Sequence, residues 1–465
     1  MNKITFLRSI ILGIFFSFSL LISAQKYNSF NMVQIGNFNP DGLTKLGIQK
    51  FNSVWGWYDS AKNREYAMLG SVDSIYFIDL SYNTPIVRDV VAGRAGKAIW
   101  RDFDNYGKYC YAAQDGIPGS LQVFDMSYLP DSVHTVYDSD SLLRNCHTIF
   151  RASDKLYCNT ARRYNGNSAV LIMSLTNPEK PELAGVVIPP VENGTRVFNY
   201  CHDTHVRNDT MYCSGENSGL FIYDVSDPSD IKYINELRDY PEKGYNHSSW
   251  PTEDGKYIYM ADENLGLGLK VVDVSDIHNL NVDKVFRSHA GAIPHNPYVR
   301  GNKLYVSYYE DGTYVFDISD PKNPTVMAFY DTYYQNAPGE YTGYNGCWSV
   351  YPYLPSGKIL ASDQTNGLFV LAMEATLSVE KTNSTSLMIY PNPAKDNLIV
   401  NLSKLETESY TITVLNTLGQ TVYTKKIDYP TYNQTVEIPT IWNAGNYFLK
   451  IEGDNLHLCK KFVKQ

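Results

Sequence analysis

The chain has 465 residues, 43% of them hydrophobic, with 38 Tyr, 31 Gly and 22 Pro. That balance marks a globular protein of strands and turns, not a helical or disordered one. A net charge of −9 leaves no basic footprint and argues against nucleic acid as a partner.

The N-terminus has the grammar of a secretory signal. Lys3 and Arg8 form a basic start, Ser9 to Leu21 an apolar run, and Ser23-Ala24 a small-residue cleavage site before Gln25. The run is shorter than the roughly 20 apolar residues a membrane span needs. Residues 1–24 are therefore expected to be a removed signal peptide, and the remainder to leave the cytoplasm with no transmembrane anchor. No Cys precedes Cys110, which removes the usual lipoprotein anchor.

From residue 25 to about 375 a unit recurs every 43 to 55 residues, each headed by Trp or His: Trp57, Trp100, His147, His202, His247, His295 and Trp348. An all-strand repeat of that length predicts a seven-bladed β-propeller. The fourth unit reads most clearly: His202 to Val206, a turn at Asn208-Asp209, Met211 to Glu216, a turn at Asn217-Ser218-Gly219, Leu220 to Asp224, then Ile231 to Ile234. Third strands such as Ile75 to Asp79, Leu121 to Asp125 and Tyr314 to Asp317 are almost continuously apolar, as expected of a strand covered on both faces. Most end at Asp-x-Ser, whose side chains bond the backbone of the following turn.

The seventh unit supplies only three strands, while residues 29–38 form a strand without a hairpin partner. That N-terminal strand is expected to complete blade seven, since an open ring would leave an unpaired edge. The Cys residues (110, 146, 158, 201, 213, 347, 459) are odd in number for an exported chain. Cys146 and Cys201, and likewise Cys158 and Cys213, hold matching repeat positions, which explains them without a disulfide; a Cys146–Cys201 bridge between neighbouring blades is the conceivable alternative. After a polar linker at 376–386, about seven short strands between 387 and 465 predict a small β-sandwich.

Two resemblances follow from quoted motifs. Residues 387–465 resemble the C-terminal sorting domain of the type IX secretion system used by Bacteroidetes, through Tyr390-Pro391-Asn392-Pro393-Ala394, Leu415 to Gln420 with Gly419, Ala444-Gly445-Asn446-Tyr447-Phe448 and the basic end Lys460 to Lys464. The resemblance implies an Ig-like sandwich that engages that machinery, outer-membrane translocation, then removal of the domain with release or surface attachment. Residues 29–375 resemble the choice-of-anchor B family built from LVIVD-type repeats. The carriers are Cys201 to Val206, Tyr245 to Trp250, Pro294 to Tyr298, Cys347 to Pro352 and the Asp-Val-Ser-Asp-Pro strand ends. That family implies the propeller and a secreted or cell-surface location, but no activity.

On a propeller axis, His147, His202, His247 and His295 would face one space. Neutral imidazoles suit Zn, Cu, Ni or Fe. Glu216, Glu263 and Glu310, with Asp115 and Gln364, return to the same face and could orient the imidazoles or act as oxygen ligands. The plain alternative is that repeats duplicate histidines by ancestry and that these bond carbonyls or water. His205 is expected at a blade interface, with a fifth-ligand role less favoured. His134, His278 and His457 read as surface residues, and His289 is open. Trp57, Trp100 and Trp348 would form an aromatic side of the mouth, suited to a glycan or an aromatic ligand, or would simply plug the channel.

No hydrolase elbow, phosphate loop or spaced Cys-x-x-Cys pair occurs, so catalytic residues are not assigned. The sequence therefore favours a secreted binding propeller, with glycan or protein as extracellular ligand and a metal on the axis. Two alternatives stand beside it: an extracellular metal-dependent hydrolase, lyase or oxidoreductase using the His/Glu site, and an adhesin using outer loops such as Tyr333 to Tyr344.

Overall fold

A computed structural model describes residues 28–465 apart from 83, 95, 336–340, 375–385, 404–407, 418, 432 and 454–455. The expected signal peptide and nearly all of the expected linker lie outside the described residues. The chain divides into two compact units, Met1–Leu371 and Ala372–Gln465. Every named element among the described residues is a strand.

The first unit is built from successive antiparallel sheets that follow the repeat. Sheet 1 spans 51–92, sheet 2 100–139, sheet 3 149–187, sheet 4 204–237, sheet 5 246–286, sheet 6 297–330 and sheet 7 347–373. Each of sheets 1 to 6 is a four-stranded meander whose first strand is innermost. These inner strands pack against one another in order, from Phe51–Asp59 through Trp100–Tyr106, Ile149–Ala152, Thr204–Arg207 and Asn246–Pro251 to Pro297–Arg300. Cys347–Tyr351 of sheet 7 packs back on Phe51–Asp59. At that return Ser349 Oγ donates to the Val54 carbonyl at 3.4 Å, and Lys358 Nζ pairs with Glu65 at 3.0 Å.

The apolar cores lie between neighbouring sheets. Phe77 of sheet 1 packs with Phe124 of sheet 2, Leu121 of sheet 2 with Leu171 of sheet 3, and Tyr259 of sheet 5 with Phe316 of sheet 6. Third strands are sandwiched: Leu121–Asp125 is buried at every position. Their ends are fixed by the expected turn, with Asp79, Asp224, Asp273 and Asp317 each accepting the amide two residues on at 2.8–2.9 Å.

The strand expected over 29–38 is divided. Asn31 takes φ +51, a left-handed conformation Asn tolerates, and this breaks the extended run. Ser29–Phe30 adds to the outer edge of sheet 6 by pairing with Thr325–Tyr330. Met32–Phe38 lies beside Gly367–Met373 at the outer edge of sheet 7, where Asn37 Nδ2 donates to the Leu368 carbonyl at 2.9 Å.

The cysteine expectation is also corrected. Cys201 is disulfide-bonded to Cys213 within sheet 4, with Cα atoms 5.8 Å apart, while Cys146 is a free buried thiol. Cys146, just ahead of sheet 3, instead contacts Cys158 on the second strand of that sheet.

The second unit has two antiparallel sheets, one of Ser386–Tyr390, Asn397–Ser403 and Asn433–Pro439, the other of Thr421–Asp428, Ser409–Asn416, Gly445–Gly453 and Leu456–Lys464. Alternate residues of both face a shared core: Leu398, Val400 and Leu402 from one, Ile412, Val414, Leu449 and Ile451 from the other.

Candidate functional site: a cavity lined by four histidines

The inner ends of the sheets enclose a cavity of about 410 Å³. Along one wall the side chains Trp100, His147, His202, His247, His295 and Trp348 follow one another in contact. Ring centroids of the imidazoles are 4.2, 3.8 and 4.2 Å apart in that order, and the flanking indoles stand 5.9 Å from His147 and 5.1 Å from His295. His147, His202 and His295 precede their strands, and His247 sits where the ladder slips between Asn246 and Ser248. Freed from strand alternation, all four reach the cavity.

Trp57 does not join them. It stacks on Tyr66 and donates from Nε1 to the Gly107 carbonyl at 2.9 Å, between sheets 1 and 2. In sheets 5 and 7 the ring residue follows the one paired with the end of the second strand: His247 after Asn246↔Asp262, Trp348 after Cys347↔Asp363. In sheet 1 the residue after the corresponding pair, Phe51↔Ser71, is Asn52, which is wholly buried and does not line the cavity. Trp55, two residues before Trp57, lines the cavity instead.

Carboxylates meet this wall at three places. Asp115 Oδ2 lies 3.0 Å from His147 Nδ1. Burial works against charge on His147, but the Asp115 contact outweighs it and raises its pKa. Asp203 Oδ2 lies 3.9 Å from His202 Nδ1 and 3.6 Å from His247 Nδ1. Glu263 lies 3.8 Å from Nε2 of both His247 and His295. Burial lowers the pKa of His202 to about 4 and of His295 to about 3, and that of His247 well below the usual value. Burial raises Glu263 to about 7, against the hydrogen bond it accepts from the Tyr309 hydroxyl.

Two groups thus bring histidine nitrogens and a carboxylate oxygen within 4.8 Å: His202, Asp203, His247, and His247, Glu263, His295. Nδ1 of His202 and of His247 are buried without a hydrogen-bond partner, a costly state for polar atoms. A tetrahedral ion with bonds of about 2.0–2.2 Å would fit either group after a small contraction, so the residues suit a metal.

The other expected acids serve different ends. Glu310 is occupied by a loop: it accepts from Thr342 N at 2.5 Å, Thr342 Oγ1 at 2.6 Å, Gly343 N at 3.2 Å and Asn345 Nδ2 at 3.2 Å. The expected ligand-orienting role of Glu310 is therefore replaced by a loop-anchoring one, and the loop brings Tyr344 to the cavity. Glu216, at φ +54, accepts from the Tyr245 hydroxyl at 2.9 Å and so positions another lining residue. Gln364 lines the cavity and donates to the Tyr344 carbonyl.

His205 lies among aromatic rings at the inner end, 4.7 Å from Phe150 and 4.3 Å from Trp250 between centroids. Phe150, Trp250 and Tyr298 contribute to the cavity wall there, a surface suited to stacking a planar ligand. His134 and His278 are exposed, and His289 contacts Asp311 at 3.0 Å. The His457 side chain lies outside the described residues. Sequence reasoning missed Asp203, Tyr245, Tyr309 and the aromatic inner end.

In the second unit the motif residues gather at one end. Asn416 pairs with Tyr447, Tyr447 with Phe462, and Gly445 with Lys464. Ala394 bridges Lys464, and Asn392 Oδ1 accepts from Val463 N at 2.9 Å. Gly419, at φ +76, closes the neighbouring turn through its amide to the Asn416 carbonyl.

Residues 202–236, 254–283 and 298–332 match the LVIVD repeat, and residues 388–465 match the secretion system C-terminal sorting domain. The three repeat matches fall on sheets 4, 5 and 6. A comparison with curated proteins finds no match. Among solved structures, the crystal structure of the computationally designed Ika8 protein is similar at TM-score 0.44 and 8% identity, over 72% of this chain and 98% of that one. The chain is thus an all-β protein of antiparallel sheets consistent with a β-propeller, with LVIVD repeats and a sorting domain that directs it to secretion.

Proposed function

We propose that this chain is an exported seven-bladed β-propeller whose axial cavity is a binding site, with a transition-metal ion held on the histidine arc. Met32–Phe38 completes the seventh blade, and the Ig-like C-terminal sandwich is the export tag of a choice-of-anchor B type protein. The observation that carries the reading is the uninterrupted run His147-His202-His247-His295 on the cavity wall, with buried ring nitrogens that lack partners. Imidazole with one carboxylate suits Zn, Cu, Ni or Fe. Asp203 and Glu263 are the oxygen ligands, and the aromatic inner end receives the organic part of an extracellular ligand such as a glycan. Elemental analysis of protein purified without an affinity tag tests this. Absence of stoichiometric transition metal, with melting unchanged by a chelator, rejects the metal.

A second reading, an enzyme on extracellular material, has one observation in its favour: Glu263, with a pKa near 7, is poised to give or take a proton beside the cavity. Replacing His202 and His247 together should then abolish turnover in a folded protein.

A further inference from the structure

Each nitrogen of the His247 ring faces a different carboxylate. Nδ1 is 3.6 Å from Asp203 Oδ2 and Nε2 is 3.8 Å from Glu263 Oε2. Each side is completed by a further imidazole, His202 beside Asp203 and His295 beside Glu263. We propose that these are two cation sites sharing His247 as a bridging imidazolate, so that the axis takes a pair of divalent transition-metal ions. The inference rests on the axial-metal reading and deepens it.

Proton counting supports a pair. The Trp348 carbonyl can only accept, so His295 Nδ1, in contact with it, carries the hydrogen and Nε2 presents a lone pair to Glu263. A neutral His247 has one hydrogen for two carboxylates, so one of its nitrogens also presents a lone pair to an anion. With Glu263 ionised, the lone pairs that His295 and one side of His247 turn toward a carboxylate at 3.6–3.8 Å repel it unless a cation stands between them. The Nδ1 atoms of His202 and His247, in residues 7% and 1% exposed, have no hydrogen-bond partner. Each site offers two imidazole nitrogens and one carboxylate oxygen, a set that binds zinc and leaves a position open. On filling, two metal–nitrogen bonds form at His247, and its remaining N–H proton passes to solvent.

The test uses the full chain, purified tag-free, stripped with chelator and titrated with Cu²⁺ while dialysis and paramagnetic resonance are read together. The expected result is two copper ions per chain with a resonance intensity far below that of two isolated ions, because an imidazolate couples their spins. Asp203→Asn should leave one copper with full isolated intensity, and Glu263→Gln should do the same from the other side. His247→Ala should abolish the coupling. One copper per chain, or two of full isolated intensity, overturns the bridge and leaves the axial-metal reading standing. No bound copper overturns both.

Discussion

The Tyr309 hydroxyl donates to Glu263 Oε1, the carboxylate between His247 and His295. A group that orients a ligand oxygen without touching the ion tunes affinity by about 10–100-fold when removed. Tyr309→Phe is therefore expected to weaken Zn²⁺ binding by that order in calorimetric titration, with little change in melting. Unaltered affinity would remove Tyr309 from this role.

Glu310 holds residues 342–345 through its four accepted hydrogen bonds, and is 3% exposed. Bonds to a charged acceptor are worth more than neutral ones, so Glu310→Ala should cost about 2–4 kcal/mol. Amide hydrogen exchange should rise at 341–346 and leave sheet 4 untouched. Protection retained in that loop would count against the anchor.

His205 is buried between Phe150 and Trp250, and burial lowers its pKa to about 3. The unfolded chain takes up its proton near 6.5. Between those values the unfolded state binds more protons, so stability is full above pH 6.5 and is lost as pH falls toward 3. His205→Phe keeps an aromatic ring and removes a buried Nδ1 that lacks a partner. Melting at pH 7 should be unchanged or higher, and the decline from pH 6.5 to 4 shallower than in the parent. An equal or steeper decline would contradict the assignment.

Cys201 and Cys213 close a loop of sequence separation 12. Chain-entropy arguments give such a link about 3 kcal/mol. Replacing both by Ala should lower the denaturation midpoint accordingly, and peptide mapping without reductant should recover the 201–213 pair, not 146–201.

The repeat was readable because its signals are local. Asp-x-Ser closes the third strand by a bond two residues away, and a strand covered on both faces is apolar at every position, as in Leu121–Asp125. The histidine arc was readable for the same reason, each ring residue preceding a recognisable hairpin. Trp57 misled because residue type stood in for position. Its strand, Phe51–Asp59, is nine residues long, and Trp57 falls near its far end, bonded to Gly107 between sheets 1 and 2. Asp203 escaped notice because it precedes its strand, where no alternation dictates direction. The donors to Glu310 arrive from 32 to 35 residues away, beyond any short motif, and Tyr309 is one of 38 tyrosines with nothing local to single it out.

Asn37 reaches the Leu368 carbonyl across 331 positions of chain, so the outermost strand of sheet 7 is synthesised long before the neighbour it lies against. Such remote pairing is slow to form. Until residues 367–373 exist, Met32–Phe38 has no seat, and a product truncated upstream of them would leave that strand open to proteases. The arrangement couples the protease resistance of residues 32–38 to the synthesis of sheet 7.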